Sequence, residues 1–191
     1  MKNKNSITLV LLGDIAAGKG TQAKILAKTY KLKYIGVGDF SRKMARKNSS
    51  FTRINKGVLA PSDAVQSYLK SQISKLKTNQ GVLVDGGKMP AEARLIRDLL
   101  RKQKRRVLVI YLNLSHKESF RRTAGRLKHQ GRADDTPQAL RNRIKYYRLV
   151  YSKTVRFWQK QGVLRRVSGL GTVESATQRL KGIINKYCGD N

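Results

Sequence analysis

The 191-residue sequence predicts a single-domain α/β fold, with five parallel strands in one sheet and helices on both of its faces. The first observation is that short apolar runs alternate with longer segments of helical period, the pattern of a parallel sheet covered by helices. The second is the length, which suits one well-packed core better than two. The third is that the longest apolar runs, Ile7 to Leu12 and Val107 to Leu112, look like buried strands, and the second run is continuously apolar, as strands buried on both faces can be.

The remaining elements follow in order along the chain. The five strand candidates lie at 7–12, 33–37, 82–84, 107–112 and 163–167. Asp134-Asp135-Thr136-Pro137 offers a capping side chain followed by a proline, so a helix is expected to begin there. In that helix one face carries apolar and aromatic side chains at steps of three or four, namely Leu140, Ile144, Tyr147, Tyr151, Val155 and Trp158.

The charge is unusual, because 42 Lys and Arg against 11 Asp and Glu give a net charge of +31. Such a surface attracts polyanions, so nonspecific contact with nucleic acid is one interpretation. A solvated basic surface, or a bias in the source proteome, are the alternatives. No apolar run approaches the roughly 20 residues that span a bilayer, so no membrane segment is expected. The lone Cys188 excludes an internal disulfide and fits a cytoplasmic protein.

A glycine-rich segment, Gly13-Asp14-Ile15-Ala16-Ala17-Gly18-Lys19-Gly20-Thr21, lies between the first strand and the first helix. Gly13 and Gly18 permit backbone conformations in which successive N–H groups turn inward and wrap a phosphate chain. The helix that follows would place the positive end of its dipole beside these phosphates. Lys19 could reach the β- and γ-phosphates of a bound nucleotide with its positive charge. In the strict phosphate-binding pattern, G-x-x-x-x-G-K-[ST], Ser or Thr follows the lysine directly, whereas in this chain Gly20 lies between Lys19 and Thr21. The alternative interpretation is an ordinary glycine-rich turn.

Several short motifs then resemble those of adenylate kinases, in the same order. Gly18 to Ala23 resembles G-K-G-T-Q-A, Gly38 to Arg42 resembles T-G-D-L-L-R, and Gly57 to Pro61 resembles G-x-L-V-P. Further along, Val82 to Gly86 resembles F-L-L-D-G and Gly131 to Asp135 resembles G-R-x-D-D, with Arg143 on the next helix. The resemblance covers nearly the whole chain and is more specific than the loop alone.

This resemblance to the nucleoside monophosphate kinase family implies a P-loop NTPase-type fold over residues 1–191, with a helical monophosphate-binding insertion at 38–67 and a short lid at 122–135. It implies ATP and Mg²⁺ as cofactors and a nucleoside monophosphate as the substrate that accepts the phosphoryl group, with AMP as the expected acceptor. It also implies that the protein is a monomer. The competing hypothesis is a catalytically weak nucleotide-binding protein that associates with nucleic acid or the ribosome through its charge.

The resemblance also assigns roles to individual residues. The expected cofactor-binding residues are Gly13, Ala16, Ala17, Gly18, Lys19, Gly20, Thr21, Arg122 and Leu170. The expected substrate-binding residues are Val37, Gly38, Arg42, Leu59, Ala60, Gly86, Lys88, Arg132 and Arg143. The expected catalytic residues are Lys19, Asp85, Arg126, Arg132 and Arg143, and Asp85 would orient Mg²⁺ through water with no direct metal ligand. The alternatives are a solvated charge for each arginine and a turn-capping role for Asp85.

The chain departs from the family after Asp85-Gly86. The family continues F-P-R-T-I-P-Q, whereas this chain reads Gly87-Lys88-Met89-Pro90-Ala91, two residues shorter. Lys88 offers a point charge where the family has an arginine fork, and Ala91 follows the proline where the family has the glutamine that reads adenine. Val37 stands where adenine-selective members have threonine. These differences leave open which base the acceptor nucleotide carries and whether the site is catalytically competent.

Overall fold

The structure is a computed structural model that describes residues 7–130 and 136–189, with the side chains of 126–130 and 147–148 outside the description. Its five strands are β1 Thr8–Gly13, β2 Lys33–Gly36, β3 Val82–Asp85, β4 Leu108–Asn113 and β5 Leu164–Ser168. They form one parallel sheet in the order β2-β3-β1-β4-β5. The predicted fold class and all five predicted strands are confirmed, except that Val37 begins a helix instead of ending β2.

The central strand β1 lies between β3 and β4, and all six of its residues are buried. Leu11 is level with Asp85 of β3, and Gly13 is level with Leu112 of β4. The carboxyl ends of neighbouring parallel strands therefore meet at one edge of the sheet, which is where open α/β sheets bind ligands.

The helices cover both faces of the sheet. They are α1 Lys19–Thr29, α2 Val37–Ala45, a 3₁₀ helix Ser49–Lys56, α3 Ser62–Ser74, α4 Pro90–Lys102, α5 His116–Gln130, α6 Pro137–Tyr146, a π-helical turn Tyr147–Tyr151, α7 Ser152–Lys160 and α8 Val173–Gly189. Val10 and Leu12 of β1 pack with α3, α4 and α7 on one face. Leu9 and Leu11 pack with α1 and α8 on the other. Alternate residues of β1 thus pack into two separate hydrophobic cores, because successive side chains of a strand point to opposite faces of the sheet.

The long helical segment after Pro137 begins where the sequence predicts. The Thr136 hydroxyl accepts a hydrogen bond from the Ala139 N–H at 3.1 Å and so caps α6. The helix is not continuous, however, because the π-helical turn Tyr147–Tyr151 separates α6 from α7. Of the predicted apolar face, four side chains are buried and Ile144 is partly buried, whereas the Tyr147 side chain lies outside the description; the buried four are Leu140, Tyr151, Val155 and Trp158.

The composition also led to expectations about membrane-spanning segments and about the lone cysteine. Among the described ranges 7–130 and 136–189, no helix combines the length and the apolar character needed to cross a bilayer. Cys188 is an exposed free thiol near the end of α8.

Candidate active site

The glycine-rich segment links β1 to α1, as predicted. Ala16 and Gly18 both have positive φ angles, 58° and 85°, and Lys19 is the first residue of α1. Left-handed residues in a turn rotate successive N–H groups toward one side, and the helix N-terminus adds its partial positive charge. Because glycine adopts such angles freely and alanine does not, Ala16 carries backbone strain in the middle of this loop.

Side chains from distant parts of the chain anchor this loop to the rest of the molecule. The buried Asp14 carboxylate accepts the Tyr111 hydroxyl at 2.6 Å through Oδ1 and the Leu114 N–H at 2.6 Å through Oδ2. The Gly13 N–H donates to the Tyr151 hydroxyl at 2.8 Å. Sequence reasoning missed both anchors, and the one available signal was an acid inside a segment expected to bind anions.

Lys19 lies across the mouth of the loop. Its Nζ donates to the Gly13 carbonyl at 2.6 Å and to the Asp14 carbonyl at 2.7 Å. An ammonium group has three donors and rotates freely about a flexible stem, so these neutral acceptors can be exchanged for phosphate oxygens. The geometry therefore keeps the charge at the place where a bound triphosphate would meet it.

Asp85 ends β3 at the floor of the same cleft. Its Oδ2 lies 3.8 Å from the position that a Cβ on Gly20 would occupy, so it faces the first turn of α1. The Tyr34 hydroxyl is 3.4 Å from Asp85 Oδ2 and 3.0 Å from Asp39 Oδ2. Burial raises the pKa of Asp85, and the nearby charges of Lys19 and Lys88 oppose that rise. One carboxylate with room for water beside a phosphate loop fits Mg²⁺, which keeps several waters in its shell.

Arg42 lies in α2 on the opposite wall of the cleft. Its Nη2 donates to Asp39 Oδ1 at 2.6 Å. Burial alone would raise the pKa of Asp39, but the hydrogen bonds from Arg42 and Tyr34 hold it below its usual value. Because both members of this ion pair are substantially exposed, the pair contributes less than about 1 kcal/mol. An incoming phosphate can therefore take over the guanidinium at little cost.

Lys88 belongs to the shortened loop after β3. Solvent reaches its side chain through the open cleft, and its backbone carbonyl accepts the Thr154 hydroxyl at 2.7 Å. Its surroundings, crowded with protein atoms, lower the pKa of its ammonium group, and the charge of Arg143 lowers it further. Lys88 and Arg143 thus bring two cations to one side of the cleft.

One cleft unites most of the predicted residues, and it encloses about 370 Å³. Of the expected cofactor-binding residues it contains Gly13, Ala16, Ala17, Gly18, Lys19, Gly20 and Thr21, together with the expected catalytic residue Asp85. Of the expected substrate-binding residues it contains Val37, Gly38, Arg42, Leu59, Ala60, Gly86, Lys88 and Arg143. A ligand that contacted both sets would bridge the β1–α1 loop and α2.

Glu92 is a cleft residue that sequence reasoning missed. It lies in the first turn of α4, is 3% exposed, and lines the cleft beside Met89. Ala91, the residue that follows Pro90, does not line the cleft, so the polar side chain after the shortened loop comes from the next position. The available signal was an acid three residues after Met89, which also forms a helix-capping pattern.

The remaining predicted residues lie away from this cleft or outside the description. Arg122 donates to Glu118 Oε1 at 2.7 Å and to the carbonyls of Gly169 and Gly171 at 3.0 and 3.4 Å, which ties α5 to the loop before α8. Leu170 is on that loop and 51% exposed. Arg126 is in α5 with its side chain outside the description. Arg132 lies outside the described residues, as does all of the expected lid beyond α5, residues 131–135.

Comparison with known proteins agrees with this arrangement. The family model for adenylate kinase matches residues 11–163. The chain is 32% identical over 179 residues to an adenylate kinase of Stenotrophomonas maltophilia, covering 90% of this chain and 96% of that protein. It is 31% identical over 180 residues to an adenylate kinase of Xanthomonas oryzae pv. oryzae, covering 91% and 96%. The chain therefore belongs to the adenylate kinase family.

Proposed function

We propose that this protein transfers the terminal phosphoryl group of ATP to a nucleoside monophosphate. The observation that carries the proposal is the single cleft in which the β1–α1 loop and Lys19 face Arg42, Lys88 and Arg143, with Asp85 on its floor. AMP is the default acceptor because the relatives described above are adenylate kinases, and the reaction would then be ATP + AMP = 2 ADP.

The donor side would hold the phosphates of ATP. Inward-facing N–H groups of residues 13–21 and the N-terminus of α1 would bind them, and Lys19 would exchange its two carbonyl partners for phosphate oxygens. Asp85 would orient the water shell of Mg²⁺, and the ion when bound would neutralise charge on the phosphates. Arg122 and Leu170 would lie beside the base of ATP, at the loop that Arg122 joins to α5.

The acceptor side would hold the monophosphate. Arg42 and Lys88 would bind its phosphate, and Arg143 would stabilise the charge that spreads over the transferred group. The walls for the nucleoside would be Val37, Gly38, Leu59, Ala60 and Gly86. Arg126 and Arg132, from the expected lid at 122–135, would complete the cation set and exclude water, which would otherwise receive the phosphoryl group.

The transfer needs no covalent enzyme intermediate. An oxygen of the acceptor phosphate attacks the γ-phosphorus of ATP, the bond to the β–γ bridging oxygen breaks, and ADP leaves from the opposite side. The residues assigned above align the two phosphates and stabilise charge, which is most of what this reaction asks of a protein.

A coupled assay of ADP formation tests the proposal. We expect turnover that depends on both Mg-ATP and a monophosphate when AMP, CMP, GMP and UMP are offered in turn. Turnover with none of the four would contradict the proposed function.

The net charge of +31 supports a second proposal, that the protein also contacts polyanions without sequence preference. We propose a cytoplasmic monomer in which this contact accompanies catalysis. Binding to a labelled duplex should weaken steeply between about 50 and 200 mM salt. Binding that ignores salt, or no binding at low salt, would exclude the contact, and gel filtration at each salt concentration tests the monomer.

A further inference from the structure

We propose that Glu92 reads the base of the acceptor nucleotide, and that its carboxylate selects guanine, which presents two neighbouring N–H donors. The inference rests on the proposed transferase function and changes its default acceptor from AMP to GMP. It starts from a contrast between the two buried carboxylates of the described residues, Asp14 and Glu92.

The two buried acids differ in how well they are paired. Both oxygens of Asp14 accept short hydrogen bonds, each of 2.6 Å, so this carboxylate has a complete structural role. Glu92 Oε2 accepts the Met89 N–H at 3.1 Å, which caps α4. The Lys88 N–H also donates to this carboxylate, and Glu92 Oε1 accepts the Ser62 hydroxyl, at the start of α3, at 3.3 Å. Because the bonds from Met89 and Ser62 are long, 3.1 and 3.3 Å against 2.6 Å for each bond to Asp14, both oxygens of Glu92 keep capacity to accept further hydrogen bonds.

The walls around Glu92 suit the edge of a flat, largely apolar ring. Val37 and Val65 are buried side chains of the same core face and also line the cleft, as does Ala60. The Ser41 hydroxyl on this wall donates to the Val37 carbonyl at 2.8 Å, so its proton is already committed. A nucleobase held between apolar walls needs a polar group at its edge to fix its identity, and Glu92 supplies that group.

The cations of the acceptor side set the orientation. Arg42, Lys88 and Arg143 line the cleft and attract the phosphate, whereas the carboxylate of Glu92 repels it. A monophosphate therefore enters with its phosphate toward the arginines and its base toward the point where the first turns of α3 and α4 meet.

The chemistry of a carboxylate then ranks the bases. A carboxylate only accepts hydrogen bonds. Guanine offers N1–H and N2–H side by side, so it can give two. Adenine and cytosine each place one amino group beside a ring nitrogen, whose lone pair faces the carboxylate. Uracil has one N–H between two carbonyl oxygens. The expected order is GMP first, AMP and CMP next, and UMP last.

An amide would rank the bases differently, because it has one acceptor and one donor and so matches adenine. Glu92→Gln keeps the size of the side chain and one oxygen for the cap. The matched control is Asp98→Asn on the same helix, where the carboxylate pairs with Arg97 at the surface. Both variants remove one negative charge from α4, and only Glu92→Gln changes the cleft.

The experiment measures kcat/KM for GMP, AMP, CMP and UMP with saturating Mg-ATP in the three proteins. In the wild type we expect GMP to exceed AMP. In Glu92→Gln the GMP-to-AMP ratio should fall by about tenfold or more, the size of one good bidentate contact. In Asp98→Asn the ratio should not move. A wild-type preference for AMP or UMP, or an unchanged ratio in Glu92→Gln, overturns the inference and leaves the transferase function standing.

Calorimetry with GMP and with AMP, without ATP, separates the two proposals. If no monophosphate is turned over, the proposed function fails, and the inference is still decided by whether GMP binds more tightly than AMP to the wild type. The ranking in the wild type also serves if Glu92→Gln unfolds, which thermal melting would reveal. Equal affinity of the wild type for both nucleotides overturns the inference.

Discussion

Two segments lie at one edge of the sheet: the donor loop, residues 13–21, joins β1 to α1, and the acceptor loop, residues 85–92, runs from the end of the neighbouring strand β3 into the first turn of α4. The donor loop presents mainly backbone, shaped by left-handed residues at 16 and 18. The acceptor loop presents side chains, Lys88 and Glu92. Phosphate is recognised by a backbone shape that many sequences can make, whereas a base is recognised by particular donors and acceptors. A family can therefore keep the first site unchanged while a single residue alters the second.

The largest expected effect concerns Lys19, whose side chain supplements the backbone N–H groups of the donor loop with a positive charge. Lys19→Met should lower kcat by about 10²- to 10³-fold, the usual loss when one stabiliser of transferred charge is removed. Lys28→Met, at the end of the same helix, is the control and should keep wild-type activity. The coupled assay measures both. A loss of less than about threefold for Lys19→Met would show that backbone groups alone hold the donor.

The second effect tests whether the donor loop depends on close packing as well as on shape. A Cβ on Gly13, where φ is 155°, would lie 2.6 Å from the Leu112 carbonyl, whereas a Cβ on Gly18, where φ is 85°, meets nothing within 4 Å. Gly13→Ala should therefore cost about 3 kcal/mol of unfolding free energy from strain and overpacking together. Gly18→Ala should cost only the left-handed strain, about 1 kcal/mol. Urea unfolding measures the two values, and equal values would refute the packing argument.

The third effect is a pH dependence confined to the acceptor loop. Burial raises the pKa of Glu92, and the hydrogen bonds from Met89 and Ser62 and the charge of Lys88 oppose that rise. Below this raised pKa the side chain takes up a proton and offers one donor and one acceptor, as an amide does. The GMP-to-AMP ratio should therefore fall several-fold as the pH is lowered through the pKa, and should level off above it.

The Glu92→Gln variant isolates this titration, because Lys88 is present in both proteins. The variant's ratio should stay flat over the same pH range. A wild-type ratio that is also flat, or one that rises as the pH falls, would contradict the assigned role of Glu92.

The smallest effect concerns the shortened acceptor loop. Lys88→Arg replaces a point charge with a planar fork that can bind a phosphate through two hydrogen bonds, so kcat/KM for the acceptor should rise a few-fold. Lys24→Arg, also on the cleft, is the control and should change nothing. A decrease in kcat/KM for Lys88→Arg would mean that the acceptor loop has no room for the fork.

Local patterns were sufficient for the sheet and for the donor loop. The three inner strands β1, β3 and β4 consist mainly of apolar residues, and the loop is defined by glycines and a lysine within nine residues of chain, 13–21. The start of α6 was equally local, because Thr136 caps a helix that opens with Pro137. The π-helical turn at 147–151 could not be predicted from the sequence, because the spacing of the apolar residues there also fits an unbroken α-helix.

The acceptor site depended on contacts between distant residues. Ser62 meets Glu92 across 30 positions, and Thr154 meets Lys88 across 66. No local pattern encodes such pairs, because they form only when helices pack on the sheet.

By itself, the sequence determined the fold class, the parallel direction of the strands and the position of the loop where phosphates are proposed to bind, because these follow from periodicities and short motifs along the chain. Only the tertiary structure decided that Glu92, and not its neighbour Ala91, turns into the cleft. The physical reason is that successive residues of a helix point about 100° apart, so the packing of α4 against α3 selects which side chain reaches the ligand.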